Sequence, residues 1–542
     1  MTYSEIQNNV FNLVTKGDSS IAEHFAVNRK LSQRNGEWPE YFKSARVAFL
    51  SNFTLQGLPE IFKVRAIFNH LNIHAYLAPY NQYAQEILNG QSNLYKHKPT
   101  LIFLPMDFSD TNAGIVESLV NKLLSATKAD IVIFNKELSD SFTNEKRVFV
   151  FDFDEFLSKI GRDKYWYTKF KELGDFRLSP EAFPLLSDAL MGYAVSSCGA
   201  VKKCLAVDLD NTLWNGVVGE DGLEKVVPNR ELQSNIMGLY KSGIVLAINS
   251  KNNEPDAFEV LDKHPKMVLR KNHFAAWRIN WQDKVSNMVE LAKELNLGLD
   301  SFVFVDDDPF QQEVVLAALP MVTVVPPHFF QHYSGFCNFS LTQEDTKRGQ
   351  MYAEEKQRRE MQVSLGSVED FLRELNMEVV IKSADDSSIA RIAQLTQKTN
   401  QFNLTTKRYS EQDIDGFIKS GWHVWSVSAK DKFGDYGIIG VGIVEPKESM
   451  WRIDTFLLSC RILGREVERA FLTHIINQAR AYDVQAIEGD FVPTAKNEPC
   501  KSFYDANGFD VISSSDERKL YRYSIANNQG LDYPGFLKVI SV

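Results

Sequence analysis

Apolar runs of strand length recur through the first 330 residues, each followed by a stretch of helical periodicity. After a helical lead over residues 1–40 come "RVAFLSNFT" (46–54), "IHAYLA" (73–78), "TLIFLP" (100–105), "DIVIFN" (130–135) and "RVFVFDFD" (147–154). The pattern restarts with "CLAVDLD" (204–210), "GIVLAINS" (243–250), "MVL" (267–269), "SFVFVDDD" (301–308) and "VTVV" (322–325). Unbroken apolar strands alternating with helices belong to parallel sheets, whose strands are buried on both faces. Two doubly wound α/β units are expected.

From about residue 371 the order changes. "MEVVIK" (377–382), "WHVWSVSAK" (422–430), "IIGVGIVE" (438–445), "WRIDTFLLS" (451–459), "VQAIEGDF" (484–491) and "KLYRYSI" (519–525) often neighbour one another, with helices at 387–398 and 464–482. That pattern predicts an α+β layer. Between the blocks, residues 342–362 carry few apolar side chains, and Thr342 with Asp345 matches a helix-start capping pair. This segment reads as an exposed linker helix, with a partner-binding helix as the alternative. A chain of 542 residues is too long for one core. The expected division is 1–195, 196–340, 341–370 and 371–542.

The balance of 60 basic against 70 acidic residues, net −10, argues against nucleic acid as the main partner. The five cysteines lie far apart and form no CxxC pair, which fits a reducing compartment and gives no zinc signature. No signal peptide pattern opens the chain, and no apolar run reaches the roughly 20 residues of a membrane span. A cytoplasmic protein without a membrane partner is expected.

In parallel α/β sheets, ligands bind beyond the carboxyl ends of the strands. In the second unit those ends hold Asp208 and Asp210, then Ser250 and Lys251, then Asp306, Asp307 and Asp308, while Lys284 opens the helix before the fourth strand. So many carboxylates in one cleft repel strongly unless a hard divalent cation such as Mg²⁺ sits among them. Asp208 can attack phosphorus as a nucleophile, and Asp210 can protonate the leaving oxygen and then activate water. Ser250 and Lys284 can hold phosphoryl oxygens, with Thr212 and Lys251 as further phosphate contacts. Asp306 and Asp307 can fix the metal with Asp208 and the Asp210 carbonyl. Trp214 and the Gly-rich stretch to Gly222 are expected to form a flap over the site. Cys204 reads as a buried strand residue rather than a nucleophile.

The order DxDxT, Ser, Lys and a late acidic pair resembles the haloacid dehalogenase (HAD) phosphatase superfamily. "CLAVDLDNTLWNGVVGEDG", "INSKN", "FAAWRINWQDK" and "FVFVDDDP" resemble its FkbH-like branch, as do "YSEQDI" and "DKFGDYGIIG". That family's late motif commonly ends in Asn; Asp308 takes the place here, making the site more anionic. The resemblance implies a protein that removes a phosphate from 1,3-bisphosphoglycerate and passes the glyceryl group to an acyl carrier protein, for polyketide and related biosynthesis. Its partners would be a phosphorylated small-molecule acyl donor and that carrier.

In the third unit, Arg461, Leu463, Gly464 and Arg465 lie between a strand and a helix, where free N–H groups bind phosphate. The pattern resembles the pyrophosphate loop of GNAT-type acyltransferases, which bind acyl-CoA; Glu466 departs from it. Asn497, and Tyr504 before Gly508-Phe509, resemble the end of that fold. The resemblance implies acyl-CoA or a phosphopantetheine arm as cofactor, with Tyr504 a general acid. Cys460 reads as a strand-end residue before an acyl-carrying thiol. "QKTNQFNLTTKRYS" (397–410) either lines an acceptor cleft or is a solvated loop. In the first unit, Ser51 and Asn52 stand where SGNH hydrolases carry Gly-Asp-Ser, and Asp152 and Asp154 lack the His their triad needs. A degenerate SGNH-like or flavodoxin-like domain for carrier docking or substrate binding is expected there. Two further readings stay open: an acyltransferase acting on a surface sugar or lipid precursor, and a non-catalytic interaction protein with a vestigial metal site.

Overall fold

The structure is a computed structural model, described for residues 3–17, 19–34, 36–107, 111–166, 174–339, 348–494, 496–526 and 531–542. It has the mixed, multidomain α/β architecture expected, with two parallel sheets and one largely antiparallel sheet. The chain forms two compact units, Met1–Gly349 and Gln350–Val542.

The first unit holds both parallel sheets. Strands β1 (Lys43–Phe49), β2 (Leu71–Leu77), β3 (Leu101–Leu104), β4 (Asp130–Ile133) and β5 (Val148–Val150) run in the order β2-β1-β3-β4-β5. Strands β6 (Cys204–Val207), β9 (Val245–Ser250), β10 (Phe274–Ile279), β11 (Phe302–Val305) and β12 (Thr323–Val325) run in the order β10-β9-β6-β11-β12. Between β6 and β9, β7 (Trp214–Asn215) and β8 (Val227–Pro228) form a separate antiparallel pair. In each large sheet the order reverses beside the first strand, which makes the switch point where such folds bind ligands. The first sheet packs between buried clusters of its own on both faces, and helices of its half also reach the core of the second sheet. Ile6, Val10 and Phe68 join Leu205, Val305 and Phe329 in one buried cluster.

Two sequence expectations change here. "MVL" (267–269) is not a strand, although Met267 and Leu269 are buried; the third strand is "FAAWRI", β10, at the sheet edge. Of "RVFVFDFD" only Val148–Val150 is extended. Asp152 caps the following helix Phe153–Ile160 by accepting the Glu155 N–H at 2.9 Å, and Asp154 pairs with Arg162.

Among the described residues, the second unit is built on a nine-stranded sheet. Its strands are β13 (Glu378–Ser383), β14 (Phe402–Asn403), β15 (His423–Lys430), β16 (Asp435–Lys447), β17 (Met450–Leu458), β18 (Ala486–Phe491), β19 (Asp510–Ser514), β20 (Lys519–Ser524) and β21 (Lys538–Ser541). Parallel partners β17 and β18 pair only from Met450↔Ala486 to Ile453↔Gly489 and then part. Into the parting runs β14, which pairs with the end of β17. The Leu404 N–H donates to the Phe456 carbonyl at 3.1 Å and the Val492 N–H to the Leu404 carbonyl at 2.8 Å. Residues 402–404 are thus a wedge inside the sheet, neither cleft lining nor solvated loop.

The helix Arg348–Leu365 also differs from an exposed linker. Arg358 is 1% exposed; its guanidinium donates to both Asp431 oxygens at 2.7 and 2.8 Å and lies over the Tyr436 ring. The capping pair Thr342 and Asp345 lies outside the described residues. Among the described residues no helix is long and apolar enough to cross a membrane.

Candidate functional site

Strand β6 is buried throughout and delivers Asp208 to the switch point of the second parallel sheet. The Asp208 N–H donates to the Val305 carbonyl at 2.9 Å, so pairing with β11 runs to the edge of the site. Strand β11 delivers Asp306, which is fully buried, and Asp307. The two strands are neighbours, so two apolar runs nearly 100 residues apart bring their terminal carboxylates together. Asp208, Asp306 and Asp307 each present an oxygen within 4.8 Å of the others.

Lys284 is the counter-charge. Asp283 caps its helix by accepting the Ser286 N–H at 2.7 Å, and Asn249, buried in β9, donates to the Lys284 carbonyl at 2.9 Å. These contacts fix the lysine's backbone. Its ammonium lies 3.0 Å from Asp208 Oδ1 and forms an ion pair with Asp306. Despite that approach, Asp208 Oδ1 is buried without a hydrogen bond of good geometry. Three carboxylates against one ammonium leave a net charge near −2 in a buried cleft, which favours a small divalent cation. The orphaned oxygen and the all-oxygen donor set fit Mg²⁺.

Electrostatics follow the same geometry. Burial, then the Asp208 charge, push Asp306 up to about 6, against the pull of Lys284. Burial also raises Asp307, opposed by the Thr212 hydroxyl that donates to it at 3.0 Å. Burial would lower Lys284, but Asp208 and Asp306 outweigh it and the lysine is raised.

Asp210 sits one turn out. Its Oδ1 accepts the Trp214 indole N–H at 2.7 Å and the Val218 N–H at 3.1 Å; its Oδ2 accepts the Asn252 amide at 2.9 Å. Burial raises its pKa against those donors. Trp214, expected in a covering flap, is fully buried and holds Asp210 from inside. Ser250 ends β9 and is buried; Lys251 just beyond is exposed. The sequence reading missed Asn249 and Gln312, which donates to the Asp306 carbonyl at 2.6 Å. Asn249 had a signal, a lone amide within the apolar run "VLAINS".

Of the six residues expected to bind acyl-CoA or a pantetheine arm, Arg465, Asn497 and Tyr504 are buried, Arg461 and Leu463 are half-buried and Gly464 is exposed. Arg461 lies in the turn after β17, and Leu463 and Gly464 lead to the helix Val467–Ala481. Arg465 is buried and donates to both Glu355 oxygens at 2.9 Å, so its charge is met within the unit. Asn497 is fully buried: its amide donates to the Asn403 and Val492 carbonyls at 3.0 and 2.9 Å, and its oxygen accepts the Thr494 N–H at 2.7 Å. It pins the wedge between β17 and β18. Tyr504 is 1% exposed, and a Cβ at Gly489 would lie 2.2 Å from its hydroxyl oxygen. That hydroxyl faces the backbone of β18, and burial holds its pKa well above the ordinary value. A general-acid role for Tyr504 does not fit this placement.

In the first parallel sheet, the Ser51 hydroxyl donates to the Pro105 carbonyl at 2.8 Å, while Asn52 and the Asp107 backbone exchange hydrogen bonds of 2.8 and 2.9 Å. These bonds close the switch point between β1 and β3 and engage Ser51 and Asn52 among the described residues there.

No family model and no curated protein matches the sequence. Among solved structures, the chain is similar to the N-terminal part of a Bacteroides fragilis protein containing a phosphatase domain, solved in complex with Mg. Identity is 25% over 58% of this chain and 97% of that one, with a TM-score of 0.49. It is also similar to a GNAT-family acetyltransferase from Staphylococcus aureus, at 12% identity over 27% of this chain and 99% of that one, with a TM-score of 0.22. The yncA protein of Salmonella typhimurium, solved with acetyl-CoA, gives 12% over 28% and 98%, also at 0.22. At these TM-scores the likenesses carry no argument about activity.

Proposed function

We propose that the Asp208 site hydrolyses or transfers a phosphoryl group with Mg²⁺. The observation that carries this reading is the buried, unsatisfied Asp208 oxygen beside Lys284, Asp306 and Asp307. Asp208, Asp306 and Asp307, with the Asp210 carbonyl, would hold Mg²⁺, whose chemistry when bound is neutralisation of phosphoryl and carboxylate charge. Asp208 attacks phosphorus and becomes an aspartyl-phosphate, releasing the substrate oxygen. Asp210 gives its carboxyl proton to that oxygen and then takes a proton from the water that hydrolyses the intermediate. Lys284 orients Asp208 and offsets charge on the transferring oxygens, with Ser250 at the neighbouring strand end. Thr212 orients Asp307 rather than meeting phosphate.

Purified protein supplied with Mg²⁺ and a general phosphomonoester is expected to release phosphate, and chelation to stop it. Folded Asp208→Asn is expected to be inactive; release at the wild-type rate would end the assignment.

The coupling to acyl transfer, with a glyceryl unit from 1,3-bisphosphoglycerate loaded onto a carrier protein, is supported by the sequence resemblance. The inward-turned Arg465, Asn497 and Tyr504 favour a second reading of the C-terminal unit as a binding module. Mass spectrometry of a carrier protein incubated with the enzyme and the bisphosphorylated donor separates the two. A glyceryl adduct requiring the C-terminal unit supports transfer; free phosphate without an adduct supports binding alone.

A further inference from the structure

The first parallel sheet carries a cavity of about 360 Å³ that the phosphoryl site does not use. It opens at the carboxyl ends of β1 and β2, one strand away from the closed switch point, and has the size of small-molecule sites. Phe53, Leu55, Pro59 and Leu77 give it an apolar floor.

Its charges come from one helix. Of the eleven residues of Leu58–Phe68, nine are buried. A helix apolar on every side lies within a core, so the two half-buried exceptions are informative. They are Glu60 and Lys63, three residues apart on one side, and both line the cavity. The helix's other charge, Arg65, is bound to Asp188 and to His24. Glu60 Oε2 is buried and has no hydrogen-bond partner, and Lys63 makes no hydrogen bond or ion pair among the described residues. Among the described residues no cation pairs with Glu60, so both charges are left for a ligand in the cavity. The hydroxyls around the cavity are already engaged: Ser51 to the Pro105 carbonyl, Thr54 to the Gly174 carbonyl, and Tyr80 to Asp175.

We propose that this cavity binds a free α-amino acid with an apolar side chain, its ammonium on Glu60 and its carboxylate on Lys63. A fatty acid would leave Glu60 unmet and a simple amine would leave Lys63 unmet. A dianion would be repelled by Glu60. Only a ligand with both charges on neighbouring atoms and an apolar body satisfies the two side chains and the floor together. No bond is made or broken in this step.

The test is calorimetric titration of the full chain with L-leucine and L-phenylalanine. Saturable one-to-one binding is expected. N-acetyl-L-phenylalanine and 2-phenylethylamine, each lacking one charge, are expected to bind about tenfold more weakly or worse, the effect of losing about 1.4 kcal/mol. Glu60→Gln and Lys63→Met are each expected to weaken L-phenylalanine binding by a similar factor while phosphate release continues unchanged. The analogue series needs no variant, so a poorly folding substitution does not shield the proposal. Absence of binding to every apolar amino acid at millimolar concentration would overturn it. So would equal affinity for the singly charged analogues, or undiminished binding in both folded variants.

Discussion

Replacing Lys284 by methionine removes the one cation that, among the described residues, pairs with the Asp208–Asp306–Asp307 cluster, while preserving much of the side chain's volume. The ammonium lies 3.0 Å from Asp208 and also pairs with Asp306, and it is only 4% exposed. At an effective dielectric constant of about 20, each such contact is worth roughly 5 kcal/mol of Coulomb energy before desolvation is counted. Breaking one side of a buried pair typically costs about 3–5 kcal/mol, because the remaining charge has no partner. Here two carboxylates lose their partner, so a value near 4 kcal/mol is expected. For the 349-residue first unit, an unfolding entropy of about 2.1 cal/mol/K per residue converts this to a fall in Tm of about 5 °C. A divalent cation among the same carboxylates replaces the missing charge, so Mg²⁺ is expected to stabilise Lys284→Met more than the wild type. Thermal denaturation of both proteins with and without Mg²⁺ measures this. A fall below about 1 °C, or an identical Mg²⁺ response in both, would refute the view that Lys284 and a metal share one buried carboxylate cluster.

Asn252→Ala removes one of three hydrogen bonds that orient Asp210; steady-state kinetics are expected to show kcat lowered about ten- to a hundredfold, with KM little changed. In the second unit, Glu468 is pushed up to about 7 by burial, against the N–H groups of its own residue and of Gly464. A carboxyl raised on folding stabilises the protonated fold, so that contribution is full below about 4.5 and is lost as pH rises through 7. Denaturant titrations are expected to show this unit losing on the order of 3 kcal/mol over that range, with Glu468→Gln flattening the dependence. Arg358→Met strips the buried Asp431 of its cation, for an expected loss of about 3–5 kcal/mol by denaturant titration. Asp431→Leu is expected to add to that loss rather than relieve it, because the Phe433 and Gly434 N–H groups and the Tyr436 hydroxyl also donate to Asp431.

What the sequence shows and hides follows from how each signal arises. Asp208 and Asp306 were legible because each directly follows a buried apolar run, and parallel strands present their carboxyl ends on one edge. "MVL" misled because Met267 and Leu269 are buried in the core while the Val268 and Leu269 N–H groups donate to the Gln233 side chain rather than to a strand. Arg358 misled for the opposite reason. A helix dense in charge reads as solvated, and its partner Asp431 is 73 residues away with no local mark. Asn497 and Tyr504 carry a resemblance to the end of the GNAT fold, but a motif cannot say which way a side chain turns. Here Asn497 turns inward to pin a two-residue strand, and Tyr504 to pack on Gly489.

The most direct measurement is where a phosphoryl group resides on the enzyme. Asp210→Asn loses both proton transfers, so with an aryl phosphate, whose leaving group departs without a proton, attack by Asp208 is retained while hydrolysis of the intermediate is slowed. Rapid quenching with that aryl phosphate and Mg²⁺, followed by peptide mapping, is expected to find an acid-stable, base-labile phosphoryl group on the peptide carrying Asp208. Turnover with no phosphorylated peptide, or with the group on another residue, would contradict the account.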